Sequence, residues 1–578
     1  MFLLALKRYF KSSVILLGTI LYIVVLYLML PVHRATGIEE LSNATLTTQT
    51  FSFFFFLIIS YEYFYQIQKS KLEEIVKTTS RGESYDKFFG LILFMLLNLI
   101  LYLVFLVASF VSTVKVMNTV NFNWLWHLAK TFFVYHFLTY FLGIIIGMLI
   151  SEISSRLRGF FTLIIVFSFF SRVLYPVMMQ SVNFSEKWTH IVDVFGIMNR
   201  NYTIFCDLVY NYTTENVNFQ RIFFWIFLTI SIYCVVHYRE RRKIVTCVML
   251  GGTSILFLCY IQPSGERYVY GDWGTYMEEQ QYYSLVYEDA KNKDCIGRKY
   301  KKHDFKIVRY EATLTPKRTL KARVDVFVDK TKLDYYDFTL YHGYEIERVT
   351  DEKGEALSFE QNIDHVRVQT NKKHCIKKIH FEYQGYSRKY VSTEQTMYLA
   401  GNFPYLPNAG WNEYMIEPNE NEWQIGCNLK GAMYQSEYDI QISMKLPVYS
   451  NLKRDKRGHF VGKTEGATFL ASPFVAKKKL KNCTLYYPVL SRLYWNDRIE
   501  ETMKQYEEAI ETVKKSQRDK EQEIHVFAMS GVMDPEITWY VAMDQFIASA
   551  SNIEELYSYY KETGCTIDHT KWDQEESK

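Results

Sequence analysis

The chain has 578 residues, 66 basic and 62 acidic side chains, and a formal net charge of +4. That length holds two or three domains, and charge this close to balance gives no reason to expect a nucleic-acid partner. Aromatic residues reach 17%, a share that suits membrane interfaces and β-structure. The mean hydropathy, near zero, hides a sharp division: long apolar runs fill the chain up to Ile261, and polar, strand-patterned sequence follows.

A run of about 18–20 apolar residues matches a bilayer core roughly 30 Å thick. Such runs predict spans at Ser13–Leu30, Phe51–Ile67, Phe88–Val114, Thr131–Ile150, Phe160–Met178, Ile222–Val236 and Ile244–Ile261. The first is too long for a cleaved signal peptide and lacks a small-residue cleavage site, so it reads as an uncleaved span. Lys7, Arg8 and Lys11 precede it; Lys69, Lys71, Lys77, Arg81 and Lys87 lie between the second and third. Arg156 and Arg158 separate the fourth and fifth, and Arg239, Arg241, Arg242 and Lys243 the sixth and seventh. The opposite loops, with Arg34, Lys115, Lys187 and Arg200, carry fewer cations. The cationic side of a membrane protein faces the cytoplasm. The expectation is therefore a multi-pass cell-membrane protein with a cytoplasmic N-terminus and everything after Ile261 outside the cell.

Between the second and third spans, Gln68–Lys87 forms a charged loop. Within it Lys71-Leu72-Glu73-Glu74-Ile75-Val76-Lys77 has a short amphipathic helical pattern. The basic amphipathic segment Leu3–Phe10, this loop through Thr78-Thr79-Ser80-Arg81-Gly82, and a six-span core together resemble the type-2 exporter class of ABC transporter permeases. The segment Met179–Gln220 fits the short re-entrant helices of that class, and the seventh span is an addition that carries the chain outside. The resemblance implies a partner ATPase that holds ATP and Mg, and a second permease, either another copy or a relative. It makes Glu73, Glu74, Thr79 and Arg81 the ATPase-coupling residues. Ionisable groups inside a bilayer are functional candidates by default; here these are Glu62 and Arg172. Glu62, near the cytoplasmic end of its span, is expected to reach for water, whereas Arg172, four residues before Pro176, could line a pathway.

After a linker at residues 263–304, a β-domain is expected over 305–490 and a helix–strand–helix tail over 491–578. Alternation of apolar and polar residues marks strands at Phe305–Tyr310, Ala322–Val328, Asp337–Leu340, His365–Val368, Ile379–Tyr383 and Tyr438–Met444, with a turn at Asp351-Glu352-Lys353-Gly354. That pattern predicts a mainly antiparallel sandwich or saddle. In the tail, Ile499, Met503, Tyr506, Ile510 and Val513 share a helix face, Glu523–Met529 reads as a strand, and Asp534-Pro535-Glu536 and Ser551-x-x-Glu554 read as helix starts.

Several motifs of this half occur in the order found in gluzincin zinc aminopeptidases and resemble their N-terminal β-domain. They include Tyr344-Glu345-Ile346-Glu347-Arg348-Val349, Ile379-His380-Phe381-Glu382-Tyr383 and Phe403-Pro404-Tyr405-Leu406-Pro407-Asn408-Ala409-Gly410-Trp411. The catalytic part does not follow. A zinc peptidase holds its metal with two histidines one helical turn apart and uses the glutamate between them as base, and no His-Glu-x-x-His occurs in the chain. Gly431-Ala432-Met433 is followed by Tyr434-Gln435, not by the Glu-Asn of that family's exopeptidase signature. The outer domain is thus expected to be a non-catalytic, peptidase-derived module, able to bind peptide or cap a pore, with no metal or cofactor site in this chain.

Other motifs read as structure. Gly458-x-x-x-Gly462-Lys463-Thr464 is one residue short of a phosphate loop and lies between predicted strands, so a hairpin is expected and any ATP site belongs to another polypeptide. The histidines are dispersed, and the nine cysteines show no paired metal-ligand spacing. The reading that follows is the permease subunit of an ATP-driven bacterial transporter, moving a substrate such as an antimicrobial peptide. The alternative is a membrane-anchored peptide receptor or immunity protein that transports nothing.

Overall fold

The computed structural model describes residues 2–29, 38–69, 82–117, 122–171, 194–198, 214, 216–237, 241–260, 305–317, 319–370, 375–387, 390, 392–411, 434–479, 483–488, 524–528, 540–541 and 544–548. They fall into two compact units, a helical one within residues 2–260 and a β-rich one within residues 305–548.

The helical unit opens with α1 (Phe2–Lys11), bent by 80° from α2 (Ser13–Met29). Ser12 makes the corner: its carbonyl accepts from Leu16 N–H at 2.9 Å while its own N–H still reaches Arg8 O at 3.2 Å. There follow α3 (Ile38–Lys69), α4 (Gly82–Met117), α5 (Phe122–Phe132), a π-helical turn (Phe133–Leu138), α6 (Thr139–Ile153), α7 (Arg156–Phe170), α8 (Asn216–His237) and α9 (Arg241–Tyr260). The helix α3 packs closely on α6. A side chain at Gly147 would place its Cβ 2.1 Å from Ser60 Oγ and 2.5 Å from Leu57 O, so only glycine admits this approach.

All seven predicted runs are helical where described, but the expected six-plus-one span count is not met. Among the described residues three helices are long and apolar enough to cross a membrane: Asp86–Ala108, Leu125–Ile153 and Asn218–Val236. The bent pair α1–α2 makes a fourth if it counts as one span, and Ile244–Leu258 is a shorter apolar helix. The physical reason is clearest in α3. Its Thr48, Gln49, Ser52, Ser60 and Glu62 are buried; they face protein rather than lipid, and a composition test scores them as though they met hydrocarbon.

The β-rich unit is built on a seven-stranded sheet. Its strands are β1 (Ile307–Pro316), β2 (Leu320–Val328), β3 (Tyr344–Asp351), β4 (Lys378–Gly385), β5 (Ser436–Ile442), β6 (Lys453–Arg454) and β7 (Phe460–Thr464), in the order β6-β7-β5-β1-β2-β4-β3. Burial alternates as the sequence pattern requires: Leu320, Ala322, Val324, Val326 and Val328 point inward from β2, and Lys321 and Arg323 outward. One pairing departs from the antiparallel expectation, because β1 and β5 run parallel, with Tyr310 opposite Tyr438. A parallel pair needs a long connection, here the chain between the two strands. Turn chemistry behaves as read. Gly354 (φ +83°) closes a turn on Asp351 O, and Gly458 (φ +90°) closes the β6–β7 hairpin on Asp455 O.

Smaller sheets flank this one: Phe359–Asn362, His365–Gln369, Tyr335–Thr339 and Asn408–Ala409 form one, and Tyr449–Ser450, Phe469–Ala471 and Met397–Leu399 another. The core between them is unusually rich in tyrosine. Tyr310 donates to Pro407 O at 3.0 Å, Tyr383 to Tyr405 O at 2.5 Å and Tyr405 to Ala467 O at 2.5 Å, so these buried hydroxyls are satisfied by backbone. In the tail, the expected strand is present as Ile524–Ala528, within a five-stranded sheet whose other strands, Val475–Lys479, Cys483–Pro488, Tyr540–Val541 and Gln545–Ala548, the alternation pattern did not mark. The predicted helices at Ile499–Val513, Asp534 and Ser551 lie outside the described residues.

Candidate functional site

Helices α3 and α4 flank residues 70–81, and α1 is fastened to both of them beside those roots. Arg8 Nη1 meets Asp86 Oδ2 of α4 at 2.6 Å. Tyr9 sets its ring edge-on to Phe94 of α4 at 5.9 Å and exchanges a hydrogen bond with Thr19 Oγ1 of α2 at 2.7 Å. Tyr63 of α3 donates to Ala5 O at 3.4 Å. This is what an amphipathic sequence such as Phe2–Lys11 does when one face is buried, here through Ala5 and Tyr9, and the other carries Lys7 and Lys11.

Beside this lie two more ion pairs. Glu62 of α3 is buried, accepts from Gln66 Nε2 at 3.0 Å and faces Arg156 Nη2 of α7 at 3.4 Å. Gln66 also donates to Ser12 Oγ at 3.0 Å, which links the corner of α1–α2 to the same network. Lys87 Nζ of α4 meets Glu152 Oε1 of α6 at 2.6 Å. Six helices are therefore joined by charged or polar side chains at one end of the bundle. Glu62 does not reach for water, as expected from its place in the span; it is paired inside protein instead.

Of the residues singled out from sequence, Glu62 alone is placed by the structure. Glu73, Glu74, Thr79, Arg81 and Arg172 lie outside the described residues. The sequence reading missed Asp86, Gln66 and Glu152 as partners; each is an ordinary charged or polar residue near a helix end, and only the packing brings it to its partner. Arg221, one residue before a predicted span, was not singled out either.

In the β-rich unit a second polar cluster joins the tail sheet to the central one. Asp544 accepts from Thr464 Oγ1 and from Asn451 Nδ2, both at 2.8 Å. Gln545 engages Thr468 Oγ1 at 2.5 Å and Gly466 O. Burial pushes the Asp544 carboxyl up, and burial followed by the Asp544 charge pushes Glu465 up. Raised acids occur at catalytic sites, but both oxygens of Asp544 are already held, which suits a joint between sheets. Three histidines of this unit pair with aspartates: His380 with Asp325 at 2.5 Å, and also with Glu382 at 3.5 Å, His342 with Asp364 at 2.9 Å and His459 with Asp439 at 2.7 Å. The Asp325 hydrogen bond holds His380 above its ordinary value. Among the described residues no group of three or more His, Cys, Asp or Glu could hold a metal ion.

No family model matches the chain, and no curated protein does. Solved structures similar to it include native leukotriene A4 hydrolase from Saccharomyces cerevisiae, at 12% identity and TM-score 0.29, covering 43% of this chain and 41% of that one. An M1 zinc metallopeptidase from Deinococcus radiodurans is similar at 10% identity and TM-score 0.30, covering 44% of this chain and 64% of that one. The chain thus spans less than two thirds of either protein. A likeness this distant assigns neither activity nor substrate here.

Proposed function

We propose that the chain is the permease subunit of an ATP-binding-cassette transporter, with ATP and Mg bound in a separate ATPase and a second permease completing the pathway. The observation that carries this reading is the fastening of α1 to both roots of the 70–81 loop. A force applied to that loop would pass through the Arg8–Asp86 pair to α1 and through Gln66 and Glu62 to α2 and α7. Coupling between a motor and a pathway is carried by contiguous packed side chains and ion pairs, and this network is one. On this reading the charged end is cytoplasmic, Glu73, Glu74, Thr79 and Arg81 touch the ATPase, and the β-rich unit is outside the cell. There it gates or recognises substrate, a peptide being the candidate, without catalysis of its own.

Affinity purification of the tagged full chain in mild detergent tests the proposal. An ATPase is expected to co-purify stoichiometrically, and to be lost from the Glu74→Ala/Arg81→Ala double variant. A folded chain that brings down no ATPase would contradict it.

A further inference from the structure

Arg221 takes no part in the network described above. It lies in the second turn of α8, is 1% exposed, and belongs to the opposite end of the bundle. The polar contacts around this part of α8 show as much. Thr214 meets Thr131 Oγ1 at 2.7 Å, and Asn218 donates to Tyr135 OH at 2.7 Å. Thr131 and Tyr135 precede Glu152 by roughly 25–30 Å of helical rise.

Arg221 Nη1 donates to Gly196 O at 3.0 Å, while among the described residues Nε and Nη2 meet no hydrogen-bond partner. One turn later Trp225 Nε1 donates to Val194 O at 2.7 Å, so residues 194–198 are pinned along this side of α8. A guanidinium carries five donors and no acceptor, and it does not lose its proton in a protein. Burial of this charge is relieved by acceptors, and the described residues supply none at Nε and Nη2. These two nitrogens form one edge of the guanidinium plane, the side-on fork that grips two oxygens of a single carboxylate or phosphate.

The neighbourhood also suits an anion. A helical Cα–Cβ bond tilts toward the N-terminus, the direction in which the first turn of the 22-residue α8 lies. There the helix presents backbone N–H groups without intrahelical acceptors and the positive end of its dipole. We propose that Arg221 and the N-terminal turn of α8 form an oxyanion site, which takes a carboxylate or phosphate group inside the helical bundle. The source is a free anion or the headgroup of an anionic lipid. The site stands on its own geometry, whether or not the chain transports.

The test uses the full chain in neutral detergent and reads Tm against two probes. Inorganic phosphate is titrated against chloride at matched ionic strength, and phosphatidylglycerol is added to the micelles in a separate series. The proposal expects a saturable rise in Tm on the order of a few degrees with at least one probe. A response to phosphate identifies a free-anion site, and a response to phosphatidylglycerol alone identifies a headgroup site. Arg221→Gln is expected to abolish the rise, and Arg221→Lys, which keeps the charge without the fork, to weaken half-saturation at least about tenfold. A rise that chloride reproduces, or one that survives Arg221→Gln, overturns the proposal. Should Arg221→Gln fail to fold, the wild-type titrations decide: no response to either probe overturns it equally.

Discussion

Glu62 and Asp544 are both buried carboxylates, and their surroundings give them different work. Glu62 faces a guanidinium across a helix boundary, whereas Asp544 is held by a threonine and an amide with no cation hydrogen-bonded to it. The consequence for Asp544 is a pH dependence whose sign follows from burial. Its folded-state pKa is raised, so over the interval above the ordinary carboxylate value the unfolded chain holds fewer protons than the folded one. Stability therefore falls as pH rises through that interval. Thermal unfolding of the full chain is expected to show a higher Tm at the acid end of that interval, and Asp544→Asn is expected to flatten this dependence. A wild-type profile already flat there would show that the joint does not titrate. At this scale the sequence revealed little. A glutamate in an apolar run announces itself, but Asp544 looks like any loop aspartate until Thr464 and Asn451, distant in sequence, are seen to close on it.

At the scale of elements, legibility depended on periodicity. The strands β1, β2, β4 and β5 and the β6–β7 hairpin could be read from alternation and from Gly354 and Gly458, because period-two burial and positive φ leave marks in a single sequence. The parallel pairing of β1 with β5 could not, since register across a long connection leaves no local mark. Helix packing was equally hidden: Gly147 and Gly251 both lie in apolar helices, yet only one meets a neighbour. The structure makes these two glycines a matched pair. A Cβ at Gly147 collides with Ser60 Oγ and Leu57 O, and one at Gly251 meets nothing within 4 Å. Gly147→Ala is expected to destabilise the bundle by about 1–3 kcal/mol through forced separation of α3 and α6. Gly251→Ala is expected to be neutral or mildly stabilising, since alanine is the better helix former. Detergent-resistance or Tm measurements on both variants check the contrast, and equal behaviour would mean that α3 and α6 are not packed as described.

For the whole molecule, the division into an apolar helical unit and a β-rich unit was plain in the sequence, and the span count was not. Counting runs gave seven, while among the described residues length and composition admit three or four helices, because α3 turns its polar residues into the bundle and α7 spans 15 residues. On the permease proposal, α1 and residues 70–81 move together under the ATPase, joined through Arg8 and Asp86. ATP hydrolysis by the co-purified complex tests this directly when measured for wild type, Arg8→Glu, Asp86→Arg and the double exchange. The prediction is that each single variant loses most of the hydrolysis that depends on this chain and that the double exchange recovers it. Single variants indistinguishable from wild type, or a double exchange no better than either, would contradict the claim.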